Sequence, residues 1–229
     1  MDNDTSRQDQ DIEFTPRSAP EFRIHHGTYG RLEPLSAARH APELHVAAMG
    51  DGGGQSWTYL PYGPFGTQDR FCARIADCEA LKDPLFFALR NLDTGAAAGM
   101  ASFMRINMAM GVIEIGHIWM APSLQRTRAA TDAIFLMMDH AMTDLGYRRL
   151  EWKCNAANAA SRSAATRFGF TYEGTFRQHM IVKGRNRDTA WYSILDSEWP
   201  DIRRKFTTWL APENFTADGR QIRRLGDCG

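Results

Sequence analysis

Residues 111–145 constrain this chain more than any other stretch. They open with GVIEIGHIWM, rich in β-branched and aromatic side chains, and close with a run in which Ala130, Ile134, Met137, Met138, Ala141 and Leu145 recur at three- and four-residue steps. The first pattern reads as a buried strand, the second as a helix with one apolar stripe. Between them, APSLQRTRAAT crowds a glutamine, two arginines, two threonines and small residues into the point where strand becomes helix. The first turn of a helix leaves backbone N–H groups without partners and carries partial positive charge. A phosphate placed there meets ready-made donors. Gln125 adds a side-chain donor, Arg126 and Arg128 add charge, and Ala129 and Ala130 leave room for close approach to the backbone. No GK[ST] sequence is present, which argues against a nucleotide triphosphatase. A basic helix start is also ordinary solvated surface, so this loop decides nothing alone.

The rest of the chain supplies the frame. Residues 1–26 are polar and aperiodic and read as a flexible arm. A strand near Arg31–Leu35 precedes two helical runs, ARHAPELHVAAM and TQDRFCARIADCEAL, with the aromatic, proline-containing loop WTYLPYGPF between them. DPLFFALRN and AAAGMASFMRIN are strand-like runs parted by the turn residues Asp93 and Gly95. After residue 145 come the strand RRLEWKCN, a helix opened by Asn158 as N-cap and closed by Gly169, and a hairpin around Gly184-Arg185-Asn186. Residues 27–210 thus form one α+β domain around a central sheet, and 211–229 read as a loose tail.

The downstream segment changes the weight of the loop. A strand, Gln125-x-x-Arg128-x-Ala130, a long helix, a strand ending in Asn155, then Asn158-x-x-Ser161 and Gly169-Phe170 together resemble the GNAT acetyltransferases. AASRSAATRFGFTYEGTFRQHMIVKGRNRDTAWYSILDSEWP is more narrowly similar to the RimJ/RimL-type branch, and the likeness spans roughly residues 30–200. The resemblance implies a single domain whose mixed, mostly antiparallel sheet is flanked by helices, with acetyl-CoA as donor. Its pyrophosphate would lie on the backbone of Gln125, Arg126, Thr127, Arg128, Ala129 and Ala130. Its pantetheine arm would run beside Trp119 and Met120 and meet Asn155 and Asn158. Arg128 replaces the family's first glycine, and its guanidinium is expected to reinforce the phosphate contact. Ala165 stands where many relatives carry an acidic tyrosine. In the RimJ/RimL pattern Ser161 serves instead.

Acetyl transfer to an amine needs two proton handlers. A lysine-like amine with pKa about 10.4 must lose a proton before attack, and the departing thiolate must gain one. Glu114 is the favoured base. A carboxylate inside VIEIGHI is costly without a reason, and histone-type members place theirs eleven residues before the same glutamine, as here. A structural carboxylate satisfied by its neighbours is the competing reading. RimL-type enzymes use a glutamate where this chain has Met180, which leaves His179 as second choice. Simple alternation puts His117 on the face opposite Glu114. The reading requires Glu114 and Ser161 on one side of the sheet, flanking the carbonyl. Trp57, Tyr59 and Tyr62 would cover the acceptor, a small-molecule or peptide amine. Arg177 and Arg187 would clamp an acceptor carboxylate or pair with Glu173 and Asp188 on the surface, and surface roles are preferred.

Composition narrows the alternatives. The 27 basic residues balance 27 acidic ones, so no nucleic-acid or membrane partner is expected. Four scattered cysteines give no metal-ligand spacing and suggest a reducing compartment; the acidic start is no secretory signal, so a cytoplasmic location is expected. Homodimers are common in the branch, but no feature here demonstrates one. The alternative function is a non-catalytic acyl-CoA-binding sensor or interaction module.

Overall fold

The computed structural model describes residues 11–228. Eight strands form one sheet: β1 (His25–His26), β2 (Gly30–Pro34), β3 (Leu85–Asn91), β4 (Ala97–Asn107), β5 (Val112–Met120), β6 (Arg149–Asn155), β7 (Thr171–Val182) and β8 (Arg185–Leu195). They lie in the order β1-β2-β3-β4-β5-β6-β8-β7. Five α-helices accompany them: α1 (Ala37–Met49), α2 (Gln68–Ala80), α3 (Arg128–Asp139), α4 (Ala159–Arg167) and α5 (Trp199–Leu210). Every pairing is antiparallel except β5 with β6, which α3 connects as a crossover.

The strands β3 and β4 read as nearly continuous apolar runs because helices cover both their faces. Phe86 points to the α1/α2 side, where it meets His117. Phe87 points to the α3 side, against Phe22, His25 and Phe103. On that second side Phe135 of α3 stacks on Trp199 and Phe206 of α5. Emptying the buried Phe206 position with alanine would cost about 3–5 kcal/mol.

Four sequence expectations need correction here. The helix after β5, expected to begin at Gln125, begins at Arg128 with Thr127 as N-cap, because Thr127 Oγ1 accepts the Ala130 N–H at 3.1 Å and fixes that register. Its last turn, His140–Asp144, widens to a π-helix. The helix α5 went unread, although Trp199, Ile202, Phe206, Trp209 and Leu210 make an apolar stripe. The described part of the arm is held rather than free: Arg17 N–H reaches the Met108 carbonyl, and the Ser18 carbonyl accepts the Tyr147 hydroxyl. Residues 1–10 lie outside the described residues. The tail is also docked, with Asn214, Leu225 and Cys228 buried and Trp209 Nε1 donating to Gln221.

One contact sets where α3 starts. Asp132 accepts the backbone N–H groups of Tyr29 and Gly30 at 2.6 and 2.9 Å, which binds the first turn of the helix to β2. Burial pushes its carboxyl pKa up, and those N–H bonds pull against it. A side chain at Gly30 would place Cβ 2.6 Å from the Ala129 carbonyl oxygen, so only glycine permits this approach.

Candidate active site

The site begins with a parting of strands. β5 and β6 pair only over Val112–Glu114 with Arg149–Glu151. Beyond those three pairs β5 continues along β4 to Met120, and β6 continues along β8 to Asn155. A bulge drives them apart: His117 takes φ of 49°, a left-handed conformation unusual outside glycine, and the β4–β5 register shifts there. The result is a gap through the sheet, with the starts of α3 and α4 at the ends of the two diverging strands.

On the α3/α4 side the gap offers donors. Among the described residues no protein acceptor takes the backbone N–H of Arg126, Arg128 or Ala129. Arg126 has φ of 60°, and Gln125 is held in place by its side chain donating to the Met120 carbonyl at 2.9 Å. At the other helix, Asn158 Oδ1 caps the Ser161 N–H at 3.1 Å, and Asn155 Oδ1 accepts the Ala157 N–H. Ser161 Oγ accepts from Trp152 Nε1 at 3.0 Å. Burial pushes the neighbouring Cys154 thiol up, while Ser161 acts against that. Arg167, at the end of α4, donates twice to Thr131 Oγ1 of α3, and desolvation lowers its pKa. Its sequence gave no signal beyond one more basic residue on α4.

The α1/α2 side is charged. Glu114 is only 3% exposed, and its Oε2 takes both Arg105 at 2.6 Å and Lys153 at 2.9 Å. Its Oε1 lies 3.4 Å from where a Cβ on Gly116 would stand. Lys153 also meets Glu151 at 2.6 Å and lies 4.0 Å from the Trp191 ring centroid. Burial would raise the Glu151 carboxyl, but hydrogen bonds from Lys153 and Arg149 outweigh it and lower it. His117 stacks on Tyr62 at 5.6 Å, with Nδ1 3.1 Å from the phenol oxygen. Burial first, then the charges of Arg74, Arg105 and Arg187, push the imidazole down to about 4, so it is neutral at physiological pH. His179 is exposed on β7, bonded to Thr189 Oγ1 and packed on Phe176 and Trp191.

The acetyltransferase (GNAT) domain model matches residues 31–171, well over half of the chain. The chain belongs to the GNAT acetyltransferases. A GCN5-related N-acetyltransferase from Brucella melitensis is 48% identical and superposes with a TM-score of 0.91, over 93% of this chain and 97% of that one. A probable GNAT-family acetyltransferase from Chromobacterium violaceum is 41% identical, with a TM-score of 0.77 over 83% and 95% of the two chains. A Bacillus subtilis protein provisionally named a ribosomal N-acetyltransferase, YdaF, is 30% identical over 105 residues. That match spans 46% of this chain and 57% of the relative. The GNAT fold expected from the sequence, an α+β domain on a mixed sheet, is the one observed, and acetyl-CoA is the donor the family uses in general. Among the described residues no helix is long and apolar enough to cross a membrane, and no group of acids, histidines and cysteines is arranged to hold a metal ion.

Within this GNAT frame several expected positions move. Glu114 and Ser161 lie on opposite faces, since Glu151 and Lys153 accompany Glu114 while Trp152, one residue out of phase, carries Ser161. The arrangement in which both flank a carbonyl from one side is therefore withdrawn. His117 shares the Glu114 side rather than opposing it, because the bulge breaks the alternation. The Arg128 guanidinium points away from the cradle, bonded to Asp93 at 2.9 and 3.1 Å and lying 4.1 Å from the Tyr29 ring centroid. Trp57 is not a cleft residue but core, stacked on Trp119 at 4.5 Å. Tyr62 stacks on His117, and the Tyr59 hydroxyl donates to the Ala157 carbonyl at 3.1 Å. Arg177 is exposed. Arg187 is no surface ion pair: Glu173 is taken by Arg149 and Ser193, and Asp188 by Gln178 and Asn186.

Proposed function

We propose that this protein is an N-acetyltransferase of the RimJ/RimL-like kind, moving the acetyl group of acetyl-CoA to a primary amine by direct attack across the gap between β5 and β6. The reading rests on one observation above others: the strand gap links a face of free helix-start amides to a face carrying a buried carboxylate. Pyrophosphate would sit on the amides of Arg126, Arg128 and Ala129, and the thioester arm along the unpaired side of Ile115–Met120, near Asn155 and Asn158. The acceptor amine would approach from the α1/α2 side, where Glu114 Oε1 takes its proton. Ser161, on the far side, would supply the proton to the leaving thiolate. The two proton handlers would then act from opposite faces, through the gap, which replaces the one-sided arrangement expected from the sequence. A likeness to a protein named for ribosomal acetylation supports the branch, and His179, four residues from the hairpin turn, remains the second candidate for the base.

Release of free thiol from acetyl-CoA, followed over a panel of primary amines, tests this directly. Acceptor-dependent thiol release confirms transfer. Saturable acetyl-CoA binding with no thiol from any amine would identify a non-catalytic acyl-CoA sensor instead.

A further inference from the structure

The acceptor side of the gap holds more positive charge than its carboxylates can match. Arg187 has its Nε buried with no partner, and no acid pairs with its guanidinium among the described residues. It stands near Glu114, Arg105 and Cys154, at the mouth of the gap. Arg74 likewise meets no acid within salt-bridge distance among the described residues: its Nε is buried and unpartnered, and its guanidinium hydrogen-bonds Tyr62 and lies 4.2 Å from that ring's centroid. Tyr62 in turn stacks on His117, so Arg74, Tyr62 and His117 form a column facing the place where an acceptor would bind. Arg105 must share Glu114 with Lys153. The second carboxylate, Glu151, is claimed by Lys153 and Arg149. Two guanidinium groups are left over.

A buried donor without a partner is unfavourable, and a ligand carboxylate meeting these two half-buried guanidinium groups would supply one. Guanidinium forks match carboxylates best. The space is also roofed. Lys183 Nζ, at the tip of the β7–β8 hairpin, donates to the Trp57 carbonyl at 2.9 Å, and Tyr59 closes toward Ala157. A roof on both sides suits a small molecule better than a protein chain.

Resting on the transferase reading above, we infer that the acceptor is a small amine that also carries a carboxylate, held by Arg187 and Arg74 with its amino group turned to Glu114. Glu114 repels a free carboxylate, so the acid and amine ends of such a molecule are sorted by charge: acid to the arginines, ammonium to the glutamate. The neutral imidazole of His117 adds no positive charge of its own and offers a flat wall between them.

The test compares matched acceptors, amino acids against the amines that lack the carboxylate and against their amides, by thiol release from acetyl-CoA. The acids are expected to have kcat/KM higher by roughly 10- to 100-fold, an advantage that Arg187→Gln removes while the KM for acetyl-CoA stays put. Should Arg187→Gln fail to fold, as judged by its thermal melt, Arg74→Gln and Arg187→Lys carry the same comparison. Equal turnover of acids, amides and simple amines by the wild type overturns the inference and leaves the transferase intact. So does a preference for peptide N-termini. An Arg187→Gln variant that slows acids and neutral amines alike also overturns it, since the side chain then serves the thioester. Acetyl-CoA binding with no turnover at all removes the transferase reading itself.

Discussion

The two faces of the β5–β6 gap are built on different physics. On the α3/α4 side, recognition is a matter of backbone: amides left bare by a helix start, and side chains such as Thr127 and Asn158 that cap the turns and keep those amides in place. On the α1/α2 side it is a matter of charge, with four cations and two carboxylates converging on a single gap. Backbone recognition tolerates exchange of most side chains; a charge network does not, because removing one member strands the others. The difference teaches where specificity resides. On the proposed reading, a donor common to a whole family would be held by main chain, and the acceptor that sets one member apart would be met by side chains.

The sharpest way to break this comparison is Glu114→Gln. It should lower kcat by roughly 100-fold or more while acetyl-CoA affinity, measured by titration calorimetry, changes little. Retained turnover would strip Glu114 of its role and turn attention to His179. Ser161→Ala should have a smaller and mixed effect. We expect kcat to fall by about 10-fold and stability by about 1–3 kcal/mol, because Trp152 Nε1 loses its acceptor. A melt that moves without kcat would make Ser161 purely structural.

Two histidines, His117 on the charged face and His25 on the α3 side, should also respond to acid. His117 and His25 both have pKa values lowered from 6.5 to about 4, chiefly by burial, with Arg74 next for His117 and His140 next for His25. The unfolded chain therefore takes up protons at these sites before the folded one does. Their contribution is intact above 6.5 and is lost as pH falls toward 4. Melting temperature should drop across that window, and His117→Gln should flatten the slope. An unchanged slope would show that the imidazole is not neutral. Glu33 follows a separate course: burial would raise it, yet hydrogen bonds from Arg90, His40 and Arg31 hold it at about 2, so it stays ionised throughout. The smallest effect belongs to Arg128→Ala, which should leave acetyl-CoA affinity within about twofold, since the guanidinium is spent on Asp93 and Tyr29; an exposed pair of this kind contributes about 0–1 kcal/mol.

Much of this frame was legible in the sequence. The strand and helix around residues 111–145 announced themselves by period, and Asn158 and Gly169 mark helix ends by chemistry that is local to the chain. What the sequence hid is non-local. The face on which His117 points depends on a bulge that needs β4 as partner. The opposition of Glu114 and Ser161 follows from the phase of Trp152 against Glu151, which matters only once β6 is laid beside β5. Arg128 looked like a phosphate ligand until Asp93, 35 residues earlier, claimed it. Arg74 and Arg187 gave no periodic signal, and their shared loneliness is visible only when three elements are assembled. The α5 stripe and the Thr127 cap, by contrast, are local features present in the chain itself.

The brevity of the β5–β6 pairing has a mechanical consequence. Three residue pairs are all that ladder β1–β5 to β6–β8–β7, so the molecule is two half-sheets on a narrow hinge. A ligand threaded through the opening would act as a missing rung, bracing both halves at once. Amide protons of Gly116–Met120 should then exchange with solvent more slowly in its presence, and the protein should be stiffest at the moment it is ready to react.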